Sequence, residues 1–261
     1  MSPTLRSAAG SDVGRRRPMN QDSAGTTTRL LAVADGMGGH PHGEVASAVA
    51  IEVLLELDER LPDDLGEVDL SSALGEAVVE AADRLTELAK ADPELRGTGT
   101  TVVAFLVDGA RIGVAHVGDS RAYLLREGEL FRLTRDHTLV QALLDEGRIT
   151  PEEAAGHPRR SWLVRTLQEA TPVEPDLFGV DGRVGDRYLI CSDGVTAVLD
   201  DAALREVLME VADRDEAVAR LIELANEGGG PDNITCIVAD LVDDEPQENP
   251  PFVVGAVAAR S

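Results

Sequence analysis

Two hydrophobic periods alternate along this chain, and their order leaves few folds open. Ala46, Val49, Ala50, Val53 and Leu57 fall on one stripe of a helix that Pro62 stops. Leu74, Ala77, Val78, Ala81, Leu85 and Leu88 repeat the pattern over about 71–90, ended by Asp92-Pro93. Between 99 and 134 the period changes to short β-branched or apolar runs, GTTVVAFLV, RIGVAHVG, RAYLLR and LFRLT, with hairpin-sized separators at 107–110 and 127–129. The spacing predicts an antiparallel meander there. RLLAVA (29–34) reads as a buried strand ending at the turn DGMGGHPHG, RYLICSD and NITCIVADL as two more strands, 138–170 as polar and helical, and 202–227 as two helices. Helix pairs between strand runs predict an α+β fold, antiparallel sheets with helices packed outside. Residues 1–242 contain no repeat or linker and read as one domain, whereas 243–261, charged and proline-rich and then small, read as a flexible tail outside it.

Forty-eight acidic against 24 basic side chains leave a net charge of −24, which repels nucleic acid at long range. One Trp, two Tyr and four Phe leave little for stacking bases. No run approaches the roughly 18 apolar residues of a membrane helix, and the first residues lack a secretory signal. A cytoplasmic monomer without membrane partners is expected. Cys191 and Cys236 sit inside apolar stretches and read as buried free thiols. Trp162 reads as a packing anchor and His116, alternating with Ile112 and Val114, as a semi-buried imidazole.

Four aspartates flank apolar runs close to glycine: Asp35 before Gly36, Asp119 after Gly118, Asp193 before Gly194, and Asp232 in GGGPDN. Any one of them would ordinarily cap a turn. Gathered at one sheet end, four anions require a cation, and oxygen donors without Cys or His spacing select Mg²⁺ or Mn²⁺ over zinc. The basic run Arg15–Arg17 stands beside Asp22 in this acidic chain, and a guanidinium fork matches phosphate oxygens. Gly-Met-Gly-Gly at 36–39 does not make a nucleotide loop, because it lacks the required spacing and begins with an anion.

In order, RxxxQD (17–22), ADGMGGHxxGE (34–44), GTT (99–101), GDSRAY (118–123), DHTLV (136–140), GxITPEEA (147–154), CSDG (191–194) and GPDNIT (230–235) resemble the bacterial branch of the PPM family, the type 2C metal-dependent protein serine/threonine phosphatases. The resemblance implies a four-layer αββα sandwich, two central antiparallel sheets flanked by helix pairs, with two divalent ions at one end and a third in many bacterial members. Mapped by motif, Asp35 bridges the ions, Asp193 and Asp232 complete the first, and the Gly36 carbonyl serves the second. Asp119 with Asp193 matches the third-ion position, Arg17 grips the substrate phosphate, and Asp22 and Gln21 support from behind. Residues 135–170 correspond to the flap, where Ser161, Arg159, Arg160 and Arg165 could meet substrate. Met37 stands where animal members carry a histidine general acid, leaving that role to a metal-bound water or to His40.

The activity implied is hydrolysis of phosphoserine and phosphothreonine in proteins by a metal-activated water, opposing a bacterial Ser/Thr kinase. A metal-free binding module is the non-enzymatic alternative, disfavoured by the complete aspartate set and Arg17. A regulator of anti-sigma or anti-anti-sigma factors is the other; such lineages typically lack the arginine and the flap.

Overall fold

The computed structural model describes residues 3–37, 42–169, 172–245 and 250–260. Along the chain run β1 (Thr4–Asp12), β2 (Asp22–Thr26), β3 (Leu30–Met37), α1 (Gly43–Arg60), α2 (Leu70–Ala91), β4 (Gly99–Thr100), β5 (Val102–Asp108), β6 (Arg111–Val117), β7 (Arg121–Arg126) and β8 (Glu129–Arg132). They are followed by α3 (Leu139–Asp145), α4 (Pro151–Ala155), β9 (Leu167–Gln168), β10 (Asp176–Asp181), β11 (Arg187–Cys191), α5 (Asp193–Thr196), α6 (Asp201–Glu210), α7 (Arg214–Glu227), β12 (Ile234–Val242) and β13 (Phe252–Gly255). One sheet has the order β1-β12-β11-β7-β8; the other runs β10-β6-β5-β3-β2-β13, with β4 and β9 attached through β3. The ladders are antiparallel.

Alternation along the buried strands builds three cores. On β3 and β5, Leu30, Ala32, Val102, Ala104 and Leu106 pack under α1 and α2, while Leu31, Val33, Val103 and Phe105 face the other sheet. On β11 and β12, Leu189, Cys191, Cys236 and Val238 pack under α6 and α7, while Tyr188, Ile190, Ile237 and Ala239 fill the space between the sheets. Strands covered on both faces are apolar at nearly every position, so RLLAVA and NITCIVADL are largely apolar runs. The layers are helix pair, sheet, sheet, helix pair: the αββα sandwich expected. Cys191 and Cys236 are free, buried and opposite each other in register; burial pushes the Cys191 thiol up to about 12. No helix among the described residues is long and apolar enough to cross a membrane.

Four expectations change. The meander is two hairpins in different sheets, β5/β6 and β7/β8, because the chain crosses between sheets at Gly118–Ser120, where Gly118 adopts φ +107°. The strand at 29–34 continues through Asp35 and Gly36 to Met37, since β3 changes partner from β5 to β4 and keeps its pairing. The tail is not outside the fold over 250–260: β13 pairs with β2, and Ala256 and Val257 are buried, Val257 within the core under α1. An apolar edge strand left open would be exposed to unwanted pairing, which a four-residue strand relieves. Trp162 also proves 56% exposed, with the Arg159 guanidinium 4.2 Å above its ring.

Candidate metal centre

Seven segments meet at one rim of the sandwich and enclose a cavity of about 190 Å³. Arg17, Gln21, Asp35, Gly36, Asp119, Ser161, Asp193 and Asp232 all line it, joined by Met37, Thr101 and Leu163. Asp22 does not; it is buried behind the wall, directly across from Asp35 in the β2/β3 register.

Each carboxylate is held by its backbone. The Asp35 N–H donates to Thr101 Oγ1 at 3.1 Å and its carbonyl accepts from the Thr101 N–H at 2.9 Å. At Gly36 a side chain is impossible: an added Cβ would lie 2.2 Å from the Gly43 carbonyl oxygen and 2.4 Å from that of Gln21. Asp193 opens α5 immediately after β11. Asp119 follows Gly118, which is fastened twice to His137: its N–H donates to His137 Nδ1 at 3.1 Å, and its carbonyl accepts the His137 N–H at 2.8 Å.

Asp232 accepts from Arg17 Nη2 at 2.6 Å. The loop carrying Arg17 is fixed by Asn233, whose Nδ2 donates to the carbonyls of Val13 and Met19 at 2.9 Å each and whose Oδ1 accepts the Gln21 N–H at 2.8 Å. The sequence reading passed over Asn233, His137 and Thr101, although all three lie in the quoted motifs. Their signal was a polar residue beside a strand end, which composition does not distinguish from an ordinary turn. Gln21 Nε2 donates to Glu44 Oε2 at 3.1 Å.

Four carboxyls in so little space repel one another. Burial, with the charges of Asp22, Asp193 and Asp119, lifts Asp35 well above the usual range. Burial and Asp193 push Asp119 up to about 7, and burial and Asp232 push Asp193 to about 6. Asp35 and Asp193 are within hydrogen-bonding reach of each other. Asp22 Oδ2 accepts from Ser192 Oγ at 2.7 Å, its Oδ1 has no partner, and burial raises it to about 7. Against this stand the Arg17 guanidinium, held charged chiefly by Asp232, and Arg121, which acts on Asp119 and Asp193 from the side. Uncompensated oxygen anions, without Cys or His in the lining, fit hard divalent cations.

These shifts make a pH prediction. Asp35, Asp119 and Asp193 have folded values above their unfolded value near 4, so their contribution to metal-free stability is present below that value and lost as pH rises, through about 6–7 for Asp193 and Asp119. Protons and ions compete for the same oxygens. The rise in thermal midpoint on saturation with Mn²⁺ is therefore expected to be small at pH 5 and large at pH 8. An equal rise at both would contradict the placement of these groups.

The flap contributes α3, α4 and the segment carrying Ser161 and Leu163, tied down by the Leu139 N–H to Trp162 carbonyl bond at 2.8 Å and the Val164 N–H to His137 carbonyl bond at 2.8 Å. A second cavity, of about 550 Å³, shares Asp119, Ser161 and Asp193 and is bordered by Arg121, Arg132 and Arg160. Arg165 pairs instead with Asp176 at 2.8 Å, away from the cavity. His40 lies outside the described residues.

His116, His137 and Asp176 place ligand atoms within 4.8 Å of one another. The hydrogen bond into His137 Nδ1 puts its proton on Nε2, 3.0 Å from Asp176 Oδ2, and His116 Nε2 faces the Ser120 carbonyl at 3.1 Å. Burial lowers His116 to about 4, so it stays neutral. With both Nε2 protons and the Gly118 N–H committed, the cluster anchors the Asp119 turn.

Paired antiparallel sheets thus form a sandwich whose rim gathers four carboxylates and an arginine. The chain belongs to the protein phosphatase 2C family, whose model matches residues 11–148. It is 48% identical over 254 residues to the serine/threonine protein phosphatase PstP of Mycobacterium tuberculosis, covering 97% of this chain and 48% of that protein; it thus spans about half the length of this relative. It is 36% identical to the serine/threonine phosphatase stp of Listeria innocua, covering 88% of this chain and 93% of the relative. The crystal structure of the catalytic domain of PstP in complex with two manganese ions superposes with a TM-score of 0.85 at 47% identity, covering 93% of this chain and all of that one.

Proposed function

We propose that this chain is a metal-dependent phosphatase that hydrolyses phosphoserine and phosphothreonine in proteins. The observation that carries the reading is the convergence of Asp35, Asp119, Asp193 and Asp232 with Arg17 on one small cavity. The manganese-bound relative of the same fold supports it. Asp35, Asp193, Asp232 and the Gly36 carbonyl are the groups suited to hold two divalent ions, and Asp119 with Asp193 a third. Bound there, such ions supply Lewis acidity at phosphorus and an acidified water as nucleophile.

The remaining work falls to the chain. Arg17 reaches the cavity and donates to Asp232 through Nη2; were Asp232 to hold a cation, the guanidinium would be free to bind the phosphate dianion. Asn233 keeps that arginine's loop in register with Asp232. Asp22, Ser192 and Gln21 form the wall behind, and Ser161 and Leu163 close the cavity from the flap. In a protein of charge −24 the attraction of an anionic substrate is local, confined to this mouth. Phosphoproteins made by a bacterial Ser/Thr kinase are the substrates of this reading.

The test is hydrolysis of a phosphothreonine peptide with Mn²⁺ and with EDTA. Turnover that requires Mn²⁺ and stops with EDTA is expected; turnover indifferent to chelator sinks the metal reading, and none with any phosphopeptide leaves a binding module. Arg17→Ala should raise KM by about tenfold and lower kcat less, since its bonds are to the bound phosphate. A variant that loses kcat at unchanged KM would contradict that role.

A further inference from the structure

The segment after β12 returns to the back of the metal centre. β13 lies against β2 in the register Phe252↔Thr26 to Gly255↔Ser23, one strand removed from β3 and Asp35. At its end Gly255 takes φ +80°, where an added Cβ would sit 2.2 Å from the Asp22 carbonyl oxygen. That close turn lets the Ala256 N–H donate to the Asp22 carbonyl at 2.7 Å, and the chain continues into a short 3₁₀ turn, Val257–Ala259.

A directed hydrogen-bond line starts there. The Val257 N–H donates to Ser23 Oγ at 3.1 Å, Ser23 Oγ and Ser47 Oγ are 2.9 Å apart, and Ser47 Oγ donates to the Gln21 carbonyl at 2.6 Å. With the Ser47 proton engaged on Gln21, the Ser23 hydroxyl must donate to Ser47. The Gln21 carbonyl also receives the Gly36 N–H at 3.2 Å, on a residue that itself lines the cavity. Ser23 and Ser47 are fully buried, so no solvent competes for these bonds.

We infer that residues 253–257 are a positioning strap of the catalytic unit, setting Gly36 and the Asp22–Asp35 strand pair at the spacing that divalent ions require. The inference rests on reading the cavity as a metal centre. The strap touches no reacting group; it acts through Gln21 and the β2 backbone. Removing support behind metal ligands typically weakens binding by about 10–100-fold.

The test uses two full-length variants. Gly255→Val cannot keep the turn over Asp22 and displaces the strap; Ser23→Ala removes the relay hydroxyl and leaves the strap's sequence intact. Both should bind Mn²⁺ about tenfold more weakly by calorimetry, and amide exchange at Gly36 in the metal-free protein should quicken. Wild-type Mn²⁺ affinity with unchanged Gly36 exchange in both variants would overturn the inference. If Gly255→Val does not fold, Ser23→Ala decides alone. Neither readout uses phosphatase turnover, so a wild-type chain that binds Mn²⁺ but hydrolyses nothing would defeat the proposed activity and leave the strap standing.

Discussion

Asp35→Asn is expected to reduce hydrolysis of a phosphothreonine peptide by roughly 10³-fold or more and, at the same time, to make the metal-free protein more stable. Both effects have one cause. Asp35 is buried among Asp22, Asp193 and Asp119, and without a cation its charge is opposed on every side. Asparagine keeps the shape, removes the charge, and can donate to Asp193, which lies within hydrogen-bonding reach. Relief of that repulsion raises the midpoint, by roughly 2–4 °C for each 1 kcal/mol in a domain of this size. The same substitution takes away the anion proposed to lie between the two ions. Calorimetric unfolding in EDTA and peptide turnover in Mn²⁺ read the two effects separately. A less stable metal-free variant, or turnover within tenfold of wild type, would show that Asp35 is not the group under strain.

Gly194→Ala should be nearly as damaging without changing any charge. Its Cβ would sit 1.8 Å from the Asn233 carbonyl oxygen, backbone against backbone, where no rotamer gives relief. The start of α5 must then part from the loop before β12, carrying Asp193 away from Asp232 and straining the three bonds Asn233 makes to the Arg17 loop. Expected are a loss of roughly 3 kcal/mol in denaturant unfolding and Mn²⁺ affinity lower by about 100-fold. Gly156→Ala is the matched control, since its nearest obstacle is 3.9 Å away and its φ is −90°. A Gly194 variant as stable as that control would mean the close approach is not needed.

How far the sequence carried this account depends on the kind of signal. The long helices announced themselves through their stripes: α1 and α2 run Gly43–Arg60 and Leu70–Ala91, close to the periodicity, and α6 and α7 fill 201–227. The aspartates were legible because a strand end beside glycine combines two local signatures. What stayed hidden was tertiary. β1, with the sequence TLRSAAGSD, carries small and polar residues and is a strand because β12 pairs along its whole length. β13 has only four residues after two prolines, too few to show a period, and owes its place to the edge of β2. The switch of sheets at Gly118 cannot be read from runs that look alike on either side of it. Asn233 shows only the weak signal of a polar residue beside a strand end, since the carbonyls it binds, Val13 and Met19, lie more than two hundred residues away.

Crystals of the chain grown in Mn²⁺ and measured at the manganese absorption edge would address the central point most directly. Two anomalous peaks inside the cavity, within bonding distance of Asp35, Asp193 and Asp232, are the result this account requires. Peaks only at His116, His137 and Asp176, or carboxylates turned away from an empty cavity at saturating Mn²⁺, would contradict it.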